Sequence, residues 1–304
     1  MDAKIFIKLI IEKSMISLVL TIFALILLVI AAYIDIKTRE VPNLISYSLI
    51  AVALLLKLSE SLILNNLKII GYGLLGFGIF FILSLILYYT KQWGGGDAKL
   101  LMGIGAAFYT YPNDLKNILN PDIQNIPFLL TIIVNIFIIG SIYSIIWCFI
   151  ILIKKKKTVN IISNSIRLIF RSHLKYFWIF SLFFAISFFF IDKSISLFLF
   201  IAIVFSLFAA ILIFIIKDVE IKYLIKEIPV QKLTEGDWTI GDIKINNRVI
   251  YKSKNTGISK SDIERLKNLK LKKVLIKEGI PFVPAITLGV IASLFVGNLI
   301  LIIT

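Results

Sequence analysis

Long apolar runs alternate with short polar connections along most of this 304-residue chain. A helix of about 18–20 apolar residues crosses the hydrocarbon core of a bilayer, which is about 30 Å thick. Eight runs predict such helices, at about 16–34, 43–58, 69–90, 97–110, 127–153, 174–191, 194–216 and 281–303. Because the fourth run is short and contains two glycines, the pattern predicts an all-α multi-spanning membrane protein with about eight helices, within a range of six to eight.

The polar connections also predict how the chain is divided. We expect a membrane core at 1–153, a basic surface linker at 154–175, two further membrane helices at 174–216, a small domain at 217–278 and a C-terminal membrane helix at 279–304. The linker carries both cations and apolar residues, which favours a position on the membrane surface, in contact with lipid headgroups.

Residues 217–278 form the one sizeable polar segment, and they predict a small α+β cytoplasmic domain. Weak alternation over Ile240–Tyr251 indicates a hairpin with Asn246-Asn247 at its turn. The stretch Lys273–Lys277 predicts a further strand. The sequence Ser261–Glu264 resembles a capping box and predicts the start of a helix.

Lysine and arginine are distributed unequally between the two sets of connections. One set holds 26 of the 33 basic residues and the other set holds 7. Cytoplasmic loops carry the excess of Lys and Arg, so we assign the larger set to the cytoplasm and both termini to the outside of the cell membrane. The net charge of +15 is thereby explained by a multi-pass protein in a lipid bilayer, and we expect no nucleic acid as a partner.

Two carboxylates lie at the predicted cytoplasmic edge of the membrane. Asp35 follows the first apolar run, and Asp97 opens the fourth, directly after Gly94-Gly95-Gly96. Charged groups at membrane depth are costly, and most of those retained there are functional. Three glycines allow unusual backbone angles and leave the carboxylate uncovered, so that a peptide could approach. The competing interpretation of each aspartate is a solvated boundary residue or a helix cap.

A pair of carboxylates can catalyse hydrolysis by general acid–base chemistry. Two carboxylates close together do not both ionise easily, so one retains a proton near neutral pH. The ionised member activates a water, and the protonated member donates to the scissile carbonyl. Such a pair titrates as a unit, so the acid and the base are not assigned individually. This chemistry requires no metal and no cofactor.

The sequence around both aspartates resembles the type IV prepilin peptidase family. Gly94-Gly95-Gly96-Asp97 fits the Gly-x-Gly-Asp motif of membrane aspartyl proteases, and Lys99 continues it. Around Asp35 the resemblance extends over the following motif residues: Lys37, Arg39, Pro42 and Asn43. The similarity is greatest to the archaeal branch, the preflagellin (prearchaellin) and prepilin peptidases.

The resemblance implies an aspartic endopeptidase with Asp35 and Asp97 as the catalytic residues. Its partners would be archaellin-like or pilin-like precursors, from which it removes a short basic leader at the cytoplasmic membrane edge. Bacterial members often add N-methylation and carry a cysteine zinc motif. This chain has one cysteine, Cys148, which favours a peptidase without methylation and without a metal. Glu40, Asp218 and Glu220 are candidate acidic contacts for the leader.

Three alternatives remain open at this point. A secondary transporter would use Asp35 and Asp97 to couple a cation, although such residues usually lie near the midplane. A scaffold subunit for filament assembly would need no catalysis. A presenilin-type intramembrane protease is suggested by Pro284-Ala285-Ile286, which resembles the Pro-Ala-Leu element of that group.

Small residues recur within two of the predicted helices. The segment Gly71–Gly76, together with Gly78, predicts a face for close helix packing rather than a nucleotide-binding loop, since no strand precedes it. Gly289, Ser293 and Gly297 repeat at four-residue spacing and predict a similar face in the last helix.

Overall fold

The computed structural model describes residues 3–119, 126–154, 212–213, 215–245, 248–254, 256–269 and 271–300. The predicted helix at 174–191, nearly all of the predicted helix at 194–216, and the predicted linker beyond residue 154 lie outside the described residues. The chain forms two compact units, one comprising Met1–Tyr143 with Glu227–Thr304 and the other Ser144–Lys226.

Four of the described helices are long and apolar enough to cross a membrane. Their spans are Ile16–Thr38, Asn43–Ile63, Lys68–Tyr89 and Phe128–Lys154. They belong to helices that we name α1 (Ala3–Thr38), α2 (Asn43–Ile63), α3 (Lys68–Tyr89) and α6 (Phe128–Lys154). No more than a third of each span is buried inside the protein, so the remaining apolar surface is suited to lipid. These elements confirm the predicted positions of four helices.

Helix α4 (Gly95–Ala107) is shorter than a membrane span. Its 13 residues extend for about 20 Å, whereas the hydrocarbon core is about 30 Å thick. The helix packs against α2 and α3, and eight of its residues are buried. A short helix that was not predicted, α5 (Asn113–Leu119), follows it, and the Ser17 hydroxyl of α1 donates to the Asp114 carboxylate of α5.

Helices α3 and α4 cross in close contact at two glycines. A Cβ atom built on Gly76 would lie 2.1 Å from the Gly105 carbonyl oxygen, and one built on Gly105 would lie 2.4 Å from the Gly76 carbonyl oxygen. The predicted packing face is therefore confirmed at Gly76. At Gly71 and Gly78 an added Cβ would meet no atom of the described residues within 4 Å, so the prediction is not confirmed there.

The last described helix, α8 (Val283–Phe295), is also buried, and it packs against α1. It ends earlier than the predicted 281–303 because Gly297 has a φ of +91°, which turns the chain out of the helix. The small-residue face is confirmed at Gly289, where a Cβ would lie 2.7 Å from the Ile136 Cα of α6.

A buried amide on α6 satisfies the end of α8. The Asn135 amide nitrogen donates to the Ser293 hydroxyl at 2.9 Å and to the Gly297 carbonyl at 2.7 Å. Its oxygen accepts the N–H of Leu299 at 3.1 Å. Backbone groups at a helix end have no partners within the helix, and here a side chain from a neighbouring helix supplies them.

Five strands and one helix form a small region with its own apolar core. They are β1 (Ile225–Pro229), β2 (Trp238–Thr239), β3 (Ile243–Ile245), β4 (Arg248–Tyr251), α7 (Lys260–Asn268) and β5 (Lys273–Lys277). One sheet has the order β1-β5-β2, and β3 pairs with β4 in an antiparallel hairpin. The core consists of Val230, Leu233, Tyr251, Ile258, Ile263, Leu266, Val274 and Ile276. The hairpin and the last strand confirm the predictions, while residues 246–247 of the turn lie outside the described residues.

Helix α7 begins two residues earlier than the predicted capping box implies. Its N-cap is Ser259, whose side chain accepts the N–H of Asp262. The Asp262 carboxylate also accepts the Ser259 hydroxyl at 2.6 Å and the Lys254 ammonium at 2.8 Å. Ser259 has the extended backbone that an N-cap requires, so it caps the helix in place of Ser261.

The second unit is described only in part, at residues 144–154, 212–213 and 215–226. Glu220–Leu224 forms a π-helical turn. The Asp218 carboxylate pairs with Lys222 at 2.6 Å, so one of the candidate acidic contacts already has a cationic partner.

A hydrogen bond from a tyrosine joins α3 to the strand-containing region. The Tyr88 hydroxyl donates to the Thr256 carbonyl at 3.0 Å, across 168 residues of sequence. We expect Tyr88→Phe to weaken this attachment by about 0.5–1.5 kcal/mol, because one hydrogen bond is lost without a change in ring packing. Limited proteolysis of the 252–257 loop should become faster.

The neighbouring Tyr89→Phe provides the matched control. Its ring is 59% exposed and lies edge-on to Tyr88. Equal proteolysis rates for the two variants would contradict the role of the Tyr88 hydroxyl.

Candidate functional site

Asp35 lies in the last turn of α1 and is buried, with 5% of its surface exposed. The helix continues past the predicted end at residue 34 and stops at Thr38. It stops because Arg39 adopts a left-handed backbone with φ of 62°, and the Arg39 N–H returns to the Asp35 carbonyl at 2.9 Å. The left-handed residue at the end of a helix is usually glycine, so an arginine here is uncommon.

The Asp35 carboxylate faces groups from three other parts of the chain. The Val283 N–H at the start of α8 donates to it at 3.0 Å, and the Phe282 N–H also interacts with it. The side chain of Arg39 and the phenol of Tyr143 on α6 lie within electrostatic range of it. Tyr143, Phe282 and Val283 were not predicted to belong to the site.

Asp97 occupies the first turn of α4, with Gly94 as the N-cap residue. Its carboxylate accepts the Gly94 N–H at 3.1 Å, which satisfies one of the free donors of the helix start. The Ser84 hydroxyl of α3 donates to the Ala98 carbonyl at 2.8 Å, so that α3 fixes the turn that carries Asp97.

The three glycines before Asp97 provide space rather than unusual backbone angles. None of them has a positive φ, so the prediction that they reach otherwise forbidden angles is wrong. A Cβ on Gly96 would lie 2.8 Å from the Val41 Cβ, in the connection between α1 and α2. Gly96 therefore allows the loop after Asp35 to pack directly against the helix that carries Asp97.

The two carboxylates lie within electrostatic range of each other, since the charge of Asp35 acts on Asp97. An aromatic cluster holds the surrounding elements together. The buried ring of Trp93, next to the glycines, lies 5.3 Å from the Phe282 ring and 6.3 Å from the Phe137 ring, centroid to centroid. The loop before Asp97 and the start of α8 are thereby packed against each other.

The remaining motif residues lie at the end of α1, at the start of α2 and in the first turns of α4. Pro42 is the N-cap residue of α2, and the Asn43 side-chain oxygen accepts the Lys99 ammonium at 2.7 Å. This bond joins the start of α2 to α4. The Lys37 ammonium instead lies 4.3 Å from the centroid of the Tyr33 ring.

Further carboxylates lie near the loop that follows Asp35. Burial raises the pKa of Asp237 above its ordinary value, and the charges of Glu40 and Glu278 raise it further. Hydrogen bonds from the backbone and side chain of Thr234 act in the opposite direction. The Asp237 carboxylate accepts the Thr234 N–H at 2.8 Å, a bond that is typical of a turn.

We expect Asp237→Asn to stabilise the protein at pH 7 relative to the wild type. A raised pKa means that the folded protein binds a proton more readily than the unfolded chain, so wild-type stability increases as the pH falls through that pKa. Asparagine is neutral throughout and retains an acceptor for Thr234. The gain in stability of Asp237→Asn over the wild type should disappear below about pH 4, where the aspartate is protonated in both the folded and the unfolded protein.

Thermal unfolding at pH 7.5 and pH 4 would measure this difference. Asp242→Asn is the matched control, because Asp242 is exposed and its oxygen accepts the Ser253 N–H at 2.9 Å. If Asp237→Asn changes the unfolding temperature by the same amount at both pH values, the electrostatic explanation is refuted.

Comparison with known proteins finds the same resemblance that the motifs predict. The profile of the type IV leader peptidase family matches residues 22–149, which include Asp35–Asn43 and Gly94–Lys99. Over 94 residues the chain is 35% identical to the preflagellin peptidase of Methanococcus voltae, an alignment that covers 31% of this chain. The chain spans only 40% of the length of that relative. No solved structure matches this chain. Residues 22–149, with both aspartates, are therefore similar to the type IV leader peptidase family.

Proposed function

We propose that this protein is a membrane aspartic endopeptidase that removes the short basic leader from archaellin-like or pilin-like precursors. The observation that carries the proposal is that Asp35 and Asp97, on two different helices, lie within electrostatic range of each other. The family match over residues 22–149 and the preflagellin peptidase of Methanococcus voltae support the choice of substrate class.

The proposed reaction needs only the two carboxylates and a water. The ionised carboxylate takes a proton from the water, and the resulting hydroxide oxygen attacks the scissile carbonyl carbon. The protonated carboxyl donates to the carbonyl oxygen, which gives a tetrahedral diol. As the diol collapses, one hydroxyl returns its proton to the pair, the C–N bond breaks, and the leaving nitrogen takes a proton from the pair. The products are a carboxylic acid and an amine, and the pair regains its shared proton.

The short helix α4 supports access of a peptide to this pair. The first turn of α4 carries Asp97, while the glycines before it leave no side chain over the carboxylate. Asp97 is half-buried, and Asp35 is 5% exposed. A substrate strand could therefore reach Asp97 from the polar side and meet Asp35 at the membrane edge, which we assign to the cytoplasmic face of the cell membrane.

A cleavage assay in proteoliposomes tests the proposal. The protein would be incubated with a panel of archaellin and pilin precursors, and the products would be mapped by mass spectrometry. We expect one cut between the basic leader and the hydrophobic helix that follows it. A cut inside the hydrophobic segment would favour the presenilin-type alternative. Uptake of a cation without cleavage of any precursor would favour the transporter instead.

A further inference from the structure

The start of α8 lacks the usual partners of a helix N-terminus. The first N–H groups of a helix have no acceptor within the helix, and a side chain of the N-cap residue commonly accepts from one of them. The N-cap of α8 is Phe282, which has no such side chain. Its place is taken by the Asp35 carboxylate, 248 residues earlier in the chain, which accepts the Val283 N–H.

Contacts on three sides fix the start of α8. The Thr287 hydroxyl has two carbonyl acceptors within hydrogen-bond distance. The Leu28 carbonyl oxygen of α1 lies at 3.1 Å, and the Val283 carbonyl oxygen of α8 lies at 2.9 Å. The Phe282 ring fills the space above Gly140 of α6, where a Cβ would lie 2.5 Å from its Cζ. The same ring packs against Trp93 beside the glycines. The amide donors of α8 therefore have fixed positions relative to both aspartates.

We propose that the first turn of α8 is a positioning element of the catalytic centre, in which the Phe282 and Val283 amides orient the Asp35 carboxylate for reaction. This inference rests on the proposed peptidase function and deepens it. The Val283 N–H holds the carboxylate at 3.0 Å and the Phe282 N–H also acts on it, while the charge of Asp35 reaches Asp97. Since α8 lies outside the family-matched residues 22–149, the centre depends on a segment beyond them.

Amide hydrogen exchange tests the contact without any need for activity. The peptide 280–286 contains few exchangeable amides, because Pro281 and Pro284 have none. In Asp35→Ala the Val283 N–H loses its acceptor, and we expect its exchange to become at least about tenfold faster. Asp35→Asn keeps an acceptor oxygen and is the matched control. Unchanged protection of α3 would show that the helical part of each variant is folded.

Kinetics of a backbone variant test the consequence for the reaction. An amide-to-ester replacement at Val283 removes this donor and leaves every side chain in place. An ester at Leu288, an exposed residue of the same helix, is the control, because it weakens α8 without touching Asp35. We expect the Val283 ester to lower kcat about 10- to 100-fold with little change in KM, and the Leu288 ester to lower kcat much less.

The two experiments separate the possible failures. Equal exchange of the 280–286 peptide in Asp35→Ala and the wild type would overturn the contact. Equal kcat values for the two esters would overturn its role in positioning, even where the wild type cleaves precursors. If the wild type cuts no precursor, the proposed function fails, whereas the exchange measurement still decides for or against the contact between Asp35 and α8.

Discussion

Asp35→Asn and Asp97→Asn are each expected to abolish cleavage of precursors, with a loss of at least about 10³-fold in kcat. Each substitution keeps the shape of the side chain and a hydrogen-bond acceptor, but it removes the group that exchanges a proton with water or substrate. A general acid or base accelerates a reaction by about 10²–10⁴-fold. Where two groups act as a unit, removal of either one eliminates most of the activity. The double variant should be no slower than either single one.

Membrane insertion should be unchanged in both variants, which proteoliposome flotation and the protease-resistant fragments would verify. Asp242→Asn, with the same substitution at an exposed loop of the strand-containing region, is the matched control and should retain full activity. Cleavage that persists in Asp35→Asn or in Asp97→Asn would refute a mechanism based on this pair of carboxylates.

Gly76→Ala and Gly105→Ala are each expected to destabilise the protein by about 3 kcal/mol. At both positions the new methyl group would lie closer than 2.5 Å to a backbone oxygen of the facing helix, and backbone atoms cannot rotate away. Helices α3 and α4 would have to separate. Because α4 carries Asp97 in its first turn, the variants that still fold should also cleave more slowly.

Gly78→Ala is the matched control on the same helix. Among the described residues no atom lies within 4 Å of the position that its Cβ would take, and alanine is favoured over glycine inside a helix by about 1 kcal/mol. Thermal unfolding in detergent should therefore show a small gain for Gly78→Ala and a large loss for Gly76→Ala. Equal changes in unfolding temperature for Gly76→Ala and Gly78→Ala would indicate that α3 and α4 are not closely packed where they cross.

The long helices were predictable because the information that specifies them is local. An unbroken apolar run defined α2, α3 and α6 to within a few residues at most of their termini. The run 281–303 did not reveal the end of α8, since the residues on either side of Gly297 are equally apolar. That end depends on a positive φ at Gly297 and on the Asn135 amide of α6, which are tertiary features.

The two aspartates could be recognised from sequence because a charged residue at a membrane edge is conspicuous. Their partners could not, because the donors to Asp35 are backbone amides, which every residue except proline carries. Pro284 was noted as part of a presenilin-like element, but its separation from Asp35 in sequence gave no reason to bring the two together. Arg39 was identified from the motif, whereas its role in ending α1 follows from its left-handed backbone.

The contact between Asp35 and Val283 also bears on how the protein is synthesised. The ribosome delivers Asp35 to the membrane 248 residues before its amide partner. During that interval the first helix is inserted with a carboxylate that still lacks this donor. A nascent chain interrupted before α8 would consequently contain both aspartates without the complete site, and catalytic competence would arise only late in translation, after the intervening helices have been integrated.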